Sequence, residues 1–229
     1  MDDKVTAVLD AYHERMRQEE EMRRAGPPSG STDAWLDRML LAVGPDTGRL
    51  LHILAGSLKA PNILELGTSY GYSGIWLADA ARASGGRVTT MELQEHKSAY
   101  ARDMSTRAGL AAHVDFKVGD AVEMIGNLPF GLDFVLVDLW KNLYVPCLEA
   151  FYPKLNRGAI IVADNMTFPA NDDVLGYGKA IRAKPKMTSV LLPVDQASRS
   201  VALTRADGSC KLVQPLKGLG ARRQGKIEA

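Results

Sequence analysis

Two short stretches hold residues whose types and spacing could do chemistry. In "FVLVDLWKN", residues 134–142, apolar strand material runs into Asp138, and Lys141 follows three residues later. In "IVADN" a second apolar run ends on Asp164 and Asn165. Two carboxylates and an amide oxygen suit a hard divalent cation such as Mg²⁺, which takes oxygen ligands and keeps positions for water or substrate oxygens. Adjacent strand residues face opposite ways, so Asp164 and Asn165 share one ion only if the strand turns there. The plainer alternative is that Asp-Asn starts a turn and Asp138 caps a helix. Two such strand ends together favour the ion site.

Further candidates lie upstream. "ELGTSYGYSG" carries glycines at 67, 71 and 74, a GxxxGxxG spacing that lets backbone approach a ligand and departs from the dinucleotide fingerprint GxGxxG. A tight strand-to-helix connection would also want those glycines. Glu65 lies inside the apolar strand end before them, where a lone carboxylate is costly without partners. "TTMEL" puts Glu92 at a strand tip, placed to accept from both hydroxyls of a ribose or to cap the next helix. Asp120 in "VGDA" could cap a short helix, accept from an adenine amino group, or do both. No GxSxG, HExxH or P-loop occurs, and His13, His52, His96 and His113 form no pair at ligand spacing, so they read as surface or packing residues.

Positioning these residues requires an alternation of strands and helices, and the sequence supplies it. "NILELG", "RVTTMEL", "VDFKVG", "FVLVDL" and "AIIVADN" read as buried parallel strands. Between them lie the helical patterns "SGIWLADAARA", "EHKSAYARDMSTRAGL", "AVEMIGNL" and "YVPCLEAFYPKL". "MTSVLLPV" and "SVALTR", joined by "DQASR", suggest a terminal antiparallel hairpin at the sheet edge. The expected fold is α/β, a Rossmann-like doubly wound, mostly parallel seven-stranded sheet. Ligands bind such sheets beyond the carboxyl ends of the strands.

Residues 1–60 read as a helical lead-in to the same domain, residues 61–209 as its body, and residues 210–229 as a flexible, basic tail. In the lead-in, a helix from Val5 to Arg24 has a wet charge run after Glu14. "AWLDRMLLAV", capped by Ser31, Thr32 or Asp33, reads as a second helix. "GPDTG" reads as a break before a third, from about Arg49 to Lys59. The 229 residues are 46% hydrophobic and 24% charged, enough for one sizeable core, and the net charge of +1 points to neither nucleic acid nor an anionic membrane. Cys147 and Cys210 have no CxxC spacing, the polar start has no signal-peptide core, and no apolar run approaches a bilayer span of about 20 residues. The expectation is a soluble, cytoplasmic protein with inert thiols, whose partners are small molecules or a second copy of itself.

Taken together, "ILELGTSYGYSGIWLA", the acid of "TTMEL", "GDA", "VDLWKNLY" and "VADN" resemble the cation-dependent, S-adenosylmethionine-using small-molecule O-methyltransferases, the class of the catechol and caffeoyl-CoA enzymes and their bacterial relatives. The resemblance covers about residues 40–205. It implies that Val43, Gly67, Thr68, Ser69 and Ser73 hold the cofactor's methionine moiety, with Glu65 toward its amino group and Asp138 bordering it. It implies Glu92 for the ribose, and Asp120 and Ala121 for the adenine. It implies Asp138, Asp164 and Asn165 for Mg²⁺ or another cation such as Mn²⁺ or Ca²⁺, and Lys141 as the general base. Trp140 matches an aromatic bordering the acceptor. Met39 and Thr47 stand where catechol-methylating members carry tryptophan and lysine, and "MTSVLLPV" lacks an acid that those members have. The implied activity is methyl transfer to a hydroxyl of a small, catechol-type aromatic. Single-domain enzymes of this size often pair symmetrically, so a homodimer is expected, with the lead-in and tail either shaping the acceptor pocket or the dimer interface or forming solvated termini. Two alternatives stand beside it, a nicotinamide-dependent oxidoreductase and a non-catalytic cofactor-binding protein.

Overall fold

The computed structural model describes residues 1–26, 35, 37–167, 171–194 and 200–207. The lead-in begins with α1 (Asp3–Ala25), whose first turn is capped by Asp2 accepting from the Val5 N–H at 3.0 Å. Val5, Val8, Leu9 and Tyr12 bury one face of it. The charge run is not uniformly wet: Glu19 is 3% exposed.

The second expected helix is present at Trp35 and does not continue through its later described part. Residues 37–43 are turn and irregular backbone, and Leu41 takes the left-handed conformation at φ 47°. Side chains from elsewhere occupy the backbone groups that a helix would use: Glu19 accepts from the Leu40 N–H, and Tyr70 donates to the Asp37 carbonyl. The proposed caps at 31–33, the "DQASR" link and the tail beyond 207 lie outside the described residues. "GPDTG" is a helix start rather than a break, because α2 runs Pro45–Gly56 with Pro45 in the first turn, where its missing N–H leaves nothing unsatisfied.

The body follows as β1 (Asn62–Leu66), α3 (Tyr72–Ser84), β2 (Arg87–Glu92), α4 (Glu95–Arg107), β3 (Val114–Val118) and α5 (Ala121–Asn127). It continues as β4 (Leu132–Val137), α6 (Tyr144–Phe151), β5 (Leu155–Ala163), α7 (Asp172–Ala183), β6 (Met187–Pro193) and β7 (Ser200–Ala206). The seven strands lie in the order β3-β2-β1-β4-β5-β7-β6. β1 to β5 are parallel, and β7 runs antiparallel to both β5 and β6. The hairpin is therefore present, with β6 on the outside and β7 inserted against β5. Strand residues alternate between two cores. Phe134 and Leu136 pack with α1 to α4, whereas Val135 and Val137 pack with α6 and α7. Among the described residues no helix is long and apolar enough to cross a membrane. Cys147 is buried in the second core, and burial pushes its thiol up to about 12, as expected of an inert thiol.

The chain leaves β1 outward through β2 and β3, then returns to β4 on β1's other side, which makes the β1/β4 boundary the place where connections diverge. Leu66 pairs with Val137, and Val137 with Ala163, so residues 67, 138 and 164 leave the sheet at one level. Gly67 is required there: at φ +97°, an added Cβ would stand 2.0 Å from the Asp138 carbonyl oxygen. Gly67→Ala should lower unfolding stability by at least about 2 kcal/mol, from strain and overpacking together. Urea denaturation checks this, and a loss within the ±0.5 kcal/mol or so of an ordinary surface change would contradict it.

Candidate active site

β4 and β5 are neighbours, and both end one residue before their aspartates. Asp138 donates its N–H to the Leu66 carbonyl at 2.9 Å, and Asp164 donates to the Val137 carbonyl at 3.1 Å. The ladder thus holds both backbones up to the tip and releases their side chains at its edge. Asn165 is left-handed, φ 54°, so the strand does turn there, the condition the sequence sets for Asp164 and Asn165 to share one ion. Asp164 is 1% exposed.

Lys141 begins a 3₁₀ turn, Lys141–Leu143, that folds it back over these tips. Its ammonium lies 3.9 Å from Asp138 Oδ1, donates to the Asp164 carbonyl at 3.5 Å and donates to the Tyr144 hydroxyl. Tyr144 in turn donates to the Asp164 carbonyl at 3.0 Å, and its ring lies 4.3 Å from the lysine nitrogen. Burial pushes the Lys141 pKa below its usual value, while Asp138 and Asp164 oppose that shift. Tyr144 was missed by the sequence reading. Its signal was the i, i+3 spacing from Lys141 on a tight turn, which puts the two side chains on one face.

The glycine turn forms the other side of the site. Val43, Gly67, Thr68, Ser69, Ser73 and Asp138 line one cleft, so six residues drawn from three separate segments converge. Ser69 is left-handed at φ 46° and donates its hydroxyl to the Leu40 carbonyl at 3.1 Å. Glu92 accepts from the Ser69 N–H at 2.8 Å and from the Gln94 N–H at 3.1 Å. Gln94, not Glu92, occupies the N-cap of α4, which removes the capping alternative. Asp120 caps α5 by accepting from the Glu123 N–H at 2.9 Å, with Ala121 opening that helix. The Gly119 N–H bonds to the Glu92 carbonyl at 2.9 Å, so these two acidic strand tips adjoin. Trp140 is 68% exposed beside the aspartate tips, whereas Met39 is 3% exposed and Thr47 2%. Among the described residues no group of three or more His, Cys, Asp or Glu side chains is arranged to hold a metal. The candidate donor set is two carboxylates and an amide.

A family model for O-methyltransferases matches residues 31–198. The chain belongs to that family. A catechol O-methyltransferase of Mycobacterium tuberculosis is 39% identical over 127 residues, covering 55% of this chain and 57% of that protein. The chain spans little more than half the length of the first curated relatives it matches. A crystal structure of the O-methyltransferase from Bacillus cereus, in complex with SAH, superposes at a TM-score of 0.68, with 25% identity and coverage of 90% and 91%. The O-methyltransferase TomG from Streptomyces achromogenes, in complex with SAM, superposes at 0.68, with 25% identity and coverage of 91% and 91%. Membership leaves the nicotinamide reading without support.

Within this O-methyltransferase fold, Glu65 is fully buried and accepts from Ser73 Oγ and Thr90 Oγ1, each at 2.6 Å. Burial pushes its carboxyl from about 4.5 up to about 7. The two hydroxyls pull it down, and the charges of Asp138 and Glu92 add to the rise. The folded-state value lies above the unfolded one, so this group's contribution is fully present below about pH 4.5 and is lost as pH rises through about 7. Wild-type unfolding free energy should therefore fall by up to about 3 kcal/mol between those limits through Glu65, and Glu65→Gln should remove that fall. Denaturant titrations at pH 5, 6.5 and 8 measure it, and parallel profiles for the two proteins would contradict it.

Proposed function

We propose that the protein transfers a methyl group from S-adenosylmethionine to a hydroxyl of a small, catechol-type aromatic, with a divalent cation beside the acceptor. One observation carries the reading: two aspartates from adjacent strand tips and a mostly buried lysine converge beside a cleft lined by a glycine turn. The SAH and SAM bound in the Bacillus cereus and Streptomyces achromogenes structures support the cofactor. The mycobacterial relative's name supports a catechol acceptor. The donor set, hard oxygens only, fits Mg²⁺ or a similar ion, with Asp138, Asp164 and Asn165 as the residues that would hold it.

When bound, S-adenosylmethionine supplies an electrophilic methyl group, and the cation lowers the pKa of a hydroxyl placed against it. A free phenol titrates near 10 and is a poor nucleophile at neutral pH. Lys141 Nζ takes the acceptor's proton, a task that requires the amine to be neutral for part of the time, and its burial favours that state. Tyr144 and the Asp164 carbonyl fix the direction of that nitrogen. Val43, Gly67, Thr68, Ser69 and Ser73 orient the methionine end of the cofactor, with Glu65 toward its amino group. Glu92 holds the ribose, and Asp120 with Ala121 the adenine edge. Trp140 borders the acceptor at the open rim, and Met39 is the second acceptor-side residue of this reading. Holding donor and acceptor in line is the largest part of what these residues supply.

Mass spectrometry with S-adenosylmethionine and caffeate tests the reading. Methylated product should form, EDTA should abolish it, and Mg²⁺ should restore it. Lys141→Met should lower kcat by about 100-fold or more while S-adenosylhomocysteine affinity stays within about twofold. A kcat that survives this substitution would remove Lys141 as the base, and turnover unaffected by EDTA would remove the cation.

A further inference from the structure

We propose that Glu19 and Arg15 of α1 are positioning residues for the cofactor cleft, a step that rests on the methyltransferase reading above. One wall of the cleft, Leu40 to Val43, has no regular secondary structure, and Leu41 within it holds a left-handed backbone. Such a segment keeps its shape only if its backbone groups find partners elsewhere. The Leu40 N–H finds its partner on α1. The Glu19 carboxylate, 3% exposed, accepts from the Leu40 N–H with both oxygens at 3.0 Å. Arg15 donates from Nε to Glu19 at 3.0 Å and from its terminal nitrogen to the Arg38 carbonyl at 2.8 Å. A buried carboxylate with an ion-pair partner and a backbone donor is satisfied, and removing it would leave the Leu40 N–H without its acceptor and Arg15 without its ion-pair partner.

The same helix also grips the opposite wall. The Arg15 guanidinium lies 4.4 Å from the centre of the Tyr70 ring, and Tyr12 donates to the Tyr70 carbonyl at 2.6 Å. The walls are cross-tied where Ser69 Oγ donates to the Leu40 carbonyl and the Tyr70 hydroxyl to the Asp37 carbonyl. α1 thus clamps the spacing of two cleft walls that lie about thirty residues apart in sequence, and neither Glu19 nor Arg15 lines the cleft itself. The clamp acts on cofactor binding and leaves the reacting groups at the aspartate tips untouched.

Calorimetric titration of the full chain with S-adenosylhomocysteine tests this. Glu19→Ala should raise Kd about threefold or more, as expected for losing a hydrogen bond to a charged group. Glu19→Gln, whose amide oxygen still accepts from Leu40, should bind within about twofold of wild type. In turnover, Glu19→Ala should raise KM for S-adenosylmethionine and leave kcat at saturation within about twofold. A smaller rise in Kd for Glu19→Ala, or a Gln variant as weak as the Ala variant, would overturn the clamp. If Glu19→Ala does not fold, Arg15→Met decides: a rise of about threefold or more supports the clamp, and a smaller one overturns it. Wild-type protein that binds no S-adenosylhomocysteine overturns the cofactor reading itself, a failure distinct from wild type and variant binding equally well.

Discussion

The site depends on how closely the end of β1 approaches the end of β4. A side chain at residue 67 would collide with the Asp138 carbonyl, so only glycine lets these strand tips close together. That approach fixes the glycine turn against the first aspartate. The β4–β5 ladder then fixes the second aspartate against the first, through the Asp164 N–H on the Val137 carbonyl. Two hydrogen-bonded contacts of about 3 Å thereby set the geometry of a site assembled from residues nearly a hundred positions apart.

Around that junction the protein gathers charge in places water hardly reaches. Glu65 is fully buried, Asp164 almost so, and Lys141 is mostly covered. An ionised carboxylate moved into such surroundings costs several kcal/mol unless hydrogen bonds or an opposite charge offset it. The two hydroxyls on Glu65 offset part of this, and the remaining upward shift leaves the group near its midpoint at neutral pH. A cationic ligand amine would complete the offset, which is the role at the cofactor proposed for the buried acid. At Lys141 the two aspartates attract and burial repels, and burial is the larger influence. The same low-dielectric pocket that makes charge expensive favours the neutral amine that the proposed base role of Lys141 requires.

Much of this was legible in the sequence because strand tips in a parallel sheet announce themselves: apolar, β-branched runs stop abruptly at Glu92, Asp138 and Asp164. The glycine turn and its neighbours could be read in the same way. What escaped was long-range or irregular. Nothing local in "ERMRQEEEMRR" distinguishes Glu19 from the exposed acids beside it, because its burial is created by a loop some twenty residues away. "AWLDRMLLAV" has helical periodicity and is helical at Trp35, yet from Asp37 on tertiary hydrogen bonds to Asp37, Arg38 and Leu40 override it. Tyr144 was visible in "VDLWKNLY", but its bond to Lys141 needed the tight turn to be seen.

The central claim is that Asp138, Asp164 and Asn165 form one oxygen-ligand site at adjoining strand tips. Titrating Mn²⁺ into the protein with S-adenosylhomocysteine present, followed by electron paramagnetic resonance of the free ion, measures it directly. The account predicts one bound Mn²⁺ per chain, displaced by excess Mg²⁺ and weakened about tenfold or more by Asp164→Asn. Saturable binding that survives Asp164→Asn unchanged, or no binding at all, would contradict it.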